Sequence, residues 1–370
     1  MKKAVVYGAG NIGRGFVGQL LAQSGYQVSF IEVNQAVVAQ LNAEHAYPIN
    51  IVSEEGNEEI LIQDVQAIDG RDAEAVAQAI SNADLMATAV GVPILPRIAP
   101  LVAQGLTQRA EQGNSKPLNM IICENLIDAD QYLKKLVSEA IDPSLRPWLE
   151  EHVGFVEASV GRMVPVMTEK MKADNPLRIM VEPYCQLPVD REGFKGDIPA
   201  VKNLLPASPF AFYIQRKLYI HNLGHALLAY FGQMKGLNYI WQAVRDPVIS
   251  RVVLAGMTAS AHALSREHGQ DLPAIMEHVQ DLLYRFDNRQ LGDTVERVGR
   301  DIPRKLAHDD RLVGAMNLCI KHRIDPSPIV LGIEAALACA RRQEHTLMPV
   351  DLDEAVMEGL RALSGQILQA

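Results

Sequence analysis

The sequence predicts an α/β N-terminal domain followed by an all-α domain, and two observations carry that prediction. Up to about residue 190, short apolar runs typical of buried parallel strands alternate with segments of helical periodicity. From Pro209 onward the strand patterns stop, and long segments with helical apolar spacing alternate with short breaks. A segment that carries Pro and Gly, residues 190–206, separates the two patterns. We therefore predict domains that span residues 1–195 and 196–370.

Each predicted strand is a short apolar run, and the first two runs after residue 45, residues 49–52 and 59–62, form a local β-excursion. The predicted strands are residues 4–7, 27–31, 49–52, 59–62, 84–91, 118–122, 153–165 and 177–182. Each predicted helix repeats apolar residues at helical spacing, and Pro247 and Pro328 mark first turns, where proline is tolerated. The predicted helices are residues 16–22, 35–45, 73–80 and a segment that ends near 112, then 210–234, 239–243, 247–268, 272–286, 310–322, 328–342 and 352–368.

The composition is that of an ordinary globular protein, since 370 residues allow two separate cores. The net charge of −9 argues against a nucleic-acid-binding face, and no run of about 18 apolar residues suggests a membrane span. The four cysteines lie far apart without a CxxC or Cys/His cluster, so we expect neither a disulfide framework nor a metal site. The N-terminus shows no signal-peptide pattern. We predict a cytoplasmic protein that is a monomer or a small homo-oligomer.

A glycine-rich turn follows the first predicted strand and opens a helix, which is the context in which Gly-x-Gly-x-x-Gly binds a dinucleotide. Gly8 permits the tight turn, Gly10 lets the backbone approach the pyrophosphate, and Gly13 lets helix and strand pack closely. Free amides at the helix start can then face the phosphates. The predicted cofactor-binding residues of this Rossmann-type turn are Gly8, Ala9, Gly10, Asn11, Ile12 and Gly13.

The end of the second strand predicts which dinucleotide binds. Glu32 follows the glycines by about 20 residues, where a carboxylate accepts hydrogen bonds from both ribose hydroxyls. A carboxylate at this place repels a 2′-phosphate, and residues 33–37 contain neither Arg nor Lys. We therefore predict NAD rather than NADP.

Two later strands end in residues that we expect at the same edge of the sheet, because the carboxyl ends of parallel strands border the cofactor cleft. Ala89, Val90 and Gly91 end one strand and are predicted to lie against the nicotinamide ribose. Glu124 and Asn125 follow the next strand, where catalytic residues of such sheets usually lie. Glu124 is the weaker candidate, since it could bind cofactor or substrate or be solvated.

The stretch 216–225, Arg-Lys-Leu-Tyr-Ile-His-Asn-Leu-Gly-His, runs into an apolar segment and predicts a helix. At roughly 100° per residue, His225 lies about 80° and Asn222 about 140° around the helix from Lys217. One face could therefore present an amine, an amide and an imidazole to a shared cavity. Burial lowers the pKa of a lysine toward neutrality, which suits a proton donor or acceptor that works near pH 7.

The spacing Lys-x4-Asn-x2-His resembles the signature of the polyol-specific long-chain dehydrogenases. The surrounding residues, Arg-Lys-Leu-Tyr-x-x-Asn-x-Gly-His-Ala, are most similar to the mannitol-1-phosphate 5-dehydrogenase branch. The resemblance implies that Lys217 is the general acid/base and that Asn222 and Asn125 form an oxyanion hole. It also implies that His225 orients the substrate, without a metal.

Residues 297–305 hold four cations within an acidic protein: Arg297, Arg300, Arg304 and Lys305. The resembled branch keeps an almost identical string, Arg-Val-Gly-Arg followed by Arg-Lys-Leu. A phosphorylated sugar requires fixed positive charge, and arginine supplies it bidentately. Arg300 and Lys305, with Arg297 or Arg304, are therefore predicted to hold a substrate phosphate. The alternative is structural pairing with neighbouring carboxylates.

The resemblance covers nearly the whole chain and implies an NAD-dependent dehydrogenase that interconverts D-mannitol 1-phosphate and fructose 6-phosphate. It weakens where Gly161 replaces an aspartate and Gln186-Leu187 replaces Glu-Trp, which bears on the exact substrate. Two alternatives stay open. The same scaffold serves hexuronate reductases, whose carboxylate substrates the cations would also bind. The chain could also be an NAD-binding regulator without turnover.

Overall fold

The computed structural model describes residues 1–172 and 175–342, so the predicted helix 352–368 lies outside the described residues. The chain divides into two compact units, Met1–Phe210 and a second unit that begins at Ala211. The sequence-based boundary after residue 195 lies earlier than this division. The difference arises because residues 204–207 form a strand that pairs within the first unit.

The first unit is built on a six-stranded sheet in the order β5-β2-β1-β6-β7-β8, in which every pair is parallel. This order, with the first strand at the centre, is that of a dinucleotide-binding doubly wound sheet. The strands of the unit are β1 Lys2–Tyr7, β2 Tyr26–Glu32, β3 Ala46–Ser53, β4 Gly56–Gln63, β5 Val65–Asp69, β6 Leu85–Thr88, β7 Leu118–Ile122, β8 Val153–Glu157, β9 Ile179–Val181, β10 Leu187–Asp190 and β11 Leu204–Ala207.

Two small sheets complete the strands of the first unit, and the sequence patterns predicted the strands of one of them but not those of the other. The predicted β-excursion is an antiparallel hairpin of β3 and β4, which β9 joins in parallel. β10 and β11 pair in parallel within the segment predicted as a linker. Each of these two strands contains a proline, a residue that argues against a strand in a sequence pattern. β5 lies at the sheet edge and buries only alternate residues, so it lacked a continuous apolar run.

Helices cover the six-stranded sheet, and the predicted ones are all present. A π-helical stretch, Gly13–Gly18, follows the glycine turn. The α-helices of this unit are α1 Gln19–Ala22, α2 Gln35–Glu44, α3 Ala73–Ser81, α4 Leu95–Glu111, α5 Ala129–Ala140, α6 Arg146–His152 and α7 Glu169–Lys172. Two buried clusters form the core on the two faces of the sheet, one with Phe16 and Phe30 and the other with Ile98 and Leu106.

The described part of the second unit is helical, as predicted. Its α-helices are α8 Ala211–Arg216, α9 Leu223–Met234, α10 Ile240–Arg245, α11 Pro247–His268, α12 Leu272–Phe286, α13 Val295–Val298, α14 Ile302–Lys305, α15 Val313–Lys321 and α16 Ser327–Arg342. Asp246 caps α11 by accepting the backbone N–H groups of Val248 and Ile249, each at 3.1 Å. The sequence patterns missed α13 and α14, since one turn is too short to show periodicity.

The longest helix of the second unit, α11, has the length and apolar composition that could span a membrane. Half of its most apolar window is buried within the protein, and Val253, Met257 and Leu264 are inaccessible to solvent. A helix in the core of a folded unit has the same composition, so α11 is accounted for by packing.

Candidate active site

The glycine turn lies where three parallel strands end. Gly8 has a φ of +100° and donates its N–H to Ile31 at the end of β2, over 2.9 Å. A Cβ at Gly8 would lie 2.5 Å from the Ala89 carbonyl oxygen, and a Cβ at Gly13 would lie 1.9 Å from the Gly8 carbonyl oxygen. Neither position can therefore carry a side chain without backbone movement. A Cβ at Gly10, by contrast, would meet no protein atom within 4 Å, which leaves its backbone open to a ligand.

The peptide at Ala9 is held from both sides by charged side chains. The Glu32 Oε2 accepts the Ala9 N–H at 3.1 Å, and the Arg14 Nε donates to the Ala9 carbonyl at 2.6 Å. Arg14 is buried, which lowers its pKa, while Tyr47 donates to its carbonyl oxygen at 2.8 Å. The sequence analysis selected Glu32 but missed Arg14, because no motif distinguishes it from a helix-surface arginine.

Two polar contacts tie the rest of this helix start to later parts of the first unit. Asn11 donates from Nδ2 to the Pro165 carbonyl at 3.2 Å. Arg162 is buried and donates from Nη1 to the Gly15 carbonyl and from Nε to the Glu182 carbonyl, both at 3.0 Å. The arginine beside the unusual Gly161 therefore braces the π-helical stretch after the glycine turn.

The residues after β6 are fixed by a carboxylate from the end of β7. Glu124 is buried, and its two oxygens accept the N–H groups of Val90 and Gly91 at 2.9 and 2.8 Å. The solvated alternative for Glu124 is therefore wrong. Ala89 donates its N–H to the Tyr7 carbonyl at 2.8 Å, so this loop lies at the same edge of the sheet as the glycine turn. The contact of Ala89, Val90 and Gly91 with the nicotinamide ribose stays a prediction. Asn125, the next residue, is exposed.

We expect Glu124→Gln to weaken NADH binding about tenfold, since a glutamine oxygen can serve only one of the two amides and leaves the other unpaired, at about 1–3 kcal/mol. A binding titration that follows the change in NADH fluorescence measures the affinity. Glu139→Gln, at an exposed position on α5, is the matched control. Equal affinity of both variants would show that the carboxylate does not order the cofactor loop.

Lys217 and Asn222 begin and end a π-helical segment, Lys217–Asn222, between α8 and α9. π-Helical turns are rare and occur frequently at functional sites. Their wider turn changes the angular spacing, so the angles predicted for an α-helix do not hold between Lys217 and His225. Both Lys217 and Asn222 are partly buried, as the proposed chemistry requires. Apolar periodicity and motif spacing do not distinguish a π-turn from an α-turn.

His225 contacts one acidic and one aromatic side chain of the second unit. Its Nε2 lies 2.9 Å from Asp293 Oδ2, and its ring stacks on Phe286 at 4.9 Å between centroids with 19° between planes. Asp293 also accepts from the Arg297 Nε at 2.7 Å. Burial raises the pKa of Asp293, but His225 and Arg297 outweigh burial and lower it below its ordinary value. The sequence analysis missed Asp293 as a partner of His225.

Two histidines of the second unit, His221 and His278, have lowered pKa values. Burial lowers the pKa of His221 well below its ordinary value, and the charges of Arg285 and Lys217 lower it further. Burial also lowers the pKa of His278 to about 3, together with the charges of Arg216 and Arg285. The two imidazoles are therefore neutral at pH 7.

The four predicted phosphate ligands each have a partner within the second unit. Arg300, whose side chain is 70% exposed, reaches Glu296 at 3.1 Å, and Arg304 reaches Asp301 at 2.5 Å. Arg297 pairs with Asp293, as described above. Lys305 is buried and donates to the carbonyl oxygens of Val298 and Arg300, and burial followed by the charges of Arg311 and Arg304 lowers its pKa to about 8.

Three carboxylates that the sequence analysis did not connect meet beyond β7 and β8. The oxygens of Asp128, Asp130 and Glu157 lie within 4.8 Å of one another. Burial, followed by the charge of Asp130, raises the pKa of Glu157 to about 7. A carboxyl that keeps its proton near neutral pH reduces the repulsion in this cluster, so the cluster can form without a cation. The expectation of a metal-independent protein stays a prediction.

The family comparison covers nearly the whole chain. Residues 2–203 match the Rossmann domain of mannitol dehydrogenase, and residues 210–368 match the mannitol dehydrogenase C-terminal domain. These matches confirm the predicted fold class, a Rossmann-type domain followed by a helical domain.

Solved structures of similar fold include two polyol enzymes. Pseudomonas fluorescens mannitol 2-dehydrogenase, in a ternary complex with NAD and D-mannitol, has 17% identity and a TM-score of 0.74 over 91% of this chain and 78% of that chain. D-sorbitol dehydrogenase in substrate-free form has 17% identity and a TM-score of 0.77 over 91% of this chain and 80% of that chain. At these identities the likeness shows the shared fold.

Proposed function

Because the chain belongs to the mannitol dehydrogenase family, and so is an NAD-dependent oxidoreductase of polyols, we propose that its substrate is a phosphorylated polyol. The proposed reaction interconverts D-mannitol 1-phosphate and D-fructose 6-phosphate. The observation that carries this proposal is the partly buried Lys217 in a π-helical turn, with a cluster of four cations in the same unit.

NAD, when bound, supplies the hydride acceptor. The first unit fits it, since the open backbone at Gly10 can approach a pyrophosphate and Glu32 stands beside Ala9 to accept from ribose hydroxyls. The carboxylate would also repel the 2′-phosphate of NADP, so NADPH is expected to be the poorer reductant.

Lys217 takes the hydroxyl proton while the carbon that bears the hydroxyl loses hydride, and the product is a ketone. In the reverse direction the ammonium returns this proton to the carbonyl oxygen. The amine must be neutral to accept a proton, and burial favours the neutral form of a lysine; Lys217 is partly buried. Asn222 donates a hydrogen bond to the developing alkoxide, and His225 orients the substrate. The oxyanion-hole role of Asn125, which belongs to the first unit, stays a prediction.

The phosphate proposal rests on the accessibility of the arginines. Arg300 forms an ion pair with exposed Glu296, which lies four residues earlier in the chain. Such a pair is worth roughly 0.3–0.5 kcal/mol. Arg300 can therefore exchange this partner for a phosphate, which it binds bidentately. Arg297 offers a second, partly exposed guanidinium. Lys305 holds the Arg300 carbonyl, so its role is proposed as fixing the Arg300 backbone as well as adding positive charge.

We expect Arg300→Ala to raise the KM for fructose 6-phosphate about 10- to 100-fold, because a hydrogen bond to a charged group is worth about 1.5–3 kcal/mol. The KM for unphosphorylated fructose should not change. Steady-state NADH oxidation measures both values. Arg71→Ala removes an exposed arginine paired with Asp69 in the first unit and serves as the control. Equal effects on both sugars would discard the phosphate role.

The test of the whole proposal is NADH oxidation with a panel of fructose 6-phosphate, fructose, tagaturonate and fructuronate. The proposal expects the highest kcat/KM with fructose 6-phosphate. Preference for fructose would favour an unphosphorylated polyol as substrate. The partners that all four cations have within the second unit support this alternative. Preference for a uronate would favour a hexuronate reductase. NADH binding without any turnover would favour a regulator.

We also propose that the protein works in the cytoplasm. None of the four cysteines forms a disulfide bond, and three of them are buried, namely Cys123, Cys319 and Cys339. Burial raises the pKa of Cys319 to about 12, so its thiol stays protonated and unreactive. Cysteines that stay as thiols are typical of a reducing compartment.

A further inference from the structure

The His225 ring nitrogen Nε2 is buried and poorly satisfied. It lies 2.9 Å from Asp293 Oδ2, but the two atoms are not aligned as a hydrogen bond. The side chains of His225 and Asp293 are only 15% and 12% exposed. An unsatisfied buried polar atom costs about 1–3 kcal/mol, so a small rotation that aligns this pair is favourable.

Asp293 is presented to His225 by a backbone that is fixed independently of the imidazole. Its carbonyl oxygen accepts the Ile240 N–H at 2.9 Å, and the neighbouring Thr294 forms an antiparallel bridge with Tyr239. Arg297 binds the other carboxylate oxygen, Oδ1, which leaves Oδ2 for His225. The carboxylate is therefore anchored by its backbone and by one cation before it contacts the histidine.

We propose that Asp293 is a positioning residue for His225. Its carboxylate accepts a hydrogen bond from the Nε2–H group, and this fixes the neutral imidazole as the tautomer that is protonated at Nε2. A ring nitrogen whose proton is held by a carboxylate leaves the other nitrogen with its lone pair. Nδ1 then accepts a hydrogen bond from a neighbouring hydroxyl of the substrate, and the hydroxyl whose proton Lys217 takes is not shared with the imidazole. Phe286 supports the ring from its face and limits rotation out of this orientation.

The proposal rests on the proposed function for the identity of the substrate, but its first test requires no substrate. Protein labelled with ¹⁵N at histidine is examined by long-range ¹H–¹⁵N spectra, and His225→Gln assigns the His225 signals among the ten histidines. We expect the wild-type ring to carry its proton at Nε2. We expect Asp293→Asn, whose amide can also donate, to give a mixture of tautomers.

The second readout is activity with the best substrate of the panel. Asp293→Asn should lower kcat/KM on the order of 10- to 100-fold, the size of effect seen when a carboxylate that orients a metal-bound histidine is removed, and leave NADH affinity unchanged. Asp293→Glu, which restores the carboxylate, should recover part of the rate. Asp287→Asn removes a carboxylate that pairs with Arg245 at 2.5 Å and is the control with unchanged activity.

The outcomes separate this proposal from the proposed function. A wild-type His225 protonated at Nδ1 would overturn the positioning role, whatever the enzyme turns over, and this result needs no folded variant. A tautomer change in Asp293→Asn without loss of kcat/KM would also overturn it. If the wild-type protein turns over no panel member, the proposed function fails, while the wild-type spectrum still decides whether Asp293 sets the tautomer.

Discussion

Lys217→Ala is expected to lower kcat for the NADH-dependent reduction of fructose 6-phosphate about 10³-fold, since a positioned acid/base contributes about 10²–10⁴-fold. NADH affinity should stay unchanged, because the glycine turn of the first unit is intact. Steady-state kinetics and NADH fluorescence titration measure the two quantities. The matched control is Lys235→Ala, which removes an exposed lysine of the same unit that pairs with Asp246.

Chemical rescue distinguishes loss of the proton donor from loss of structure. Added primary amines, such as methylammonium, are expected to restore part of the Lys217→Ala activity, because a small amine can occupy the vacated space and transfer the proton. Guanidinium should give no rescue, since it does not release its proton near neutral pH. A Lys217→Ala protein with wild-type kcat would remove the lysine from the mechanism.

The local part of this site was predictable because its cause is local. Gly8 and Gly13 lie where a side chain would collide with the Ala89 and Gly8 carbonyls, and such a turn leaves its mark in consecutive letters. Asp246 before Pro247 predicted the start of α11 in the same way. Each pattern reflects a constraint between residues close in sequence.

The rest of the site depends on contacts that no local pattern encodes. Arg14 and Asp293 act through tertiary contacts with Ala9 and His225, so neither stands out in the sequence. The π-turn from Lys217 to Asn222 is also a product of packing, since the same residues have ordinary helical periodicity. The sequence therefore named Lys217, Asn222 and His225 but gave incorrect angular spacing between them.

Two substitutions in the glycine turn are expected to separate folding from cofactor binding. Gly13→Ala places its Cβ 1.9 Å from the Gly8 carbonyl oxygen, and relieving this overlap requires backbone movement. We expect a loss of stability of about 3 kcal/mol, the upper part of the usual range for overpacking. Thermal unfolding followed by circular dichroism should show a clearly lower melting temperature.

Gly10→Ala is the matched change with the opposite expectation. Its Cβ would meet no protein atom within 4 Å, and Gly10 does not have a positive φ. The melting temperature should therefore not fall. The same methyl group would occupy the space through which a pyrophosphate approaches the backbone, and the NADH dissociation constant should rise about tenfold or more, which corresponds to about 1.4 kcal/mol. A Gly10→Ala protein that binds NADH as tightly as wild type would show that the dinucleotide does not use this turn. Parallel losses of stability in both variants would show instead that the glycines serve only packing.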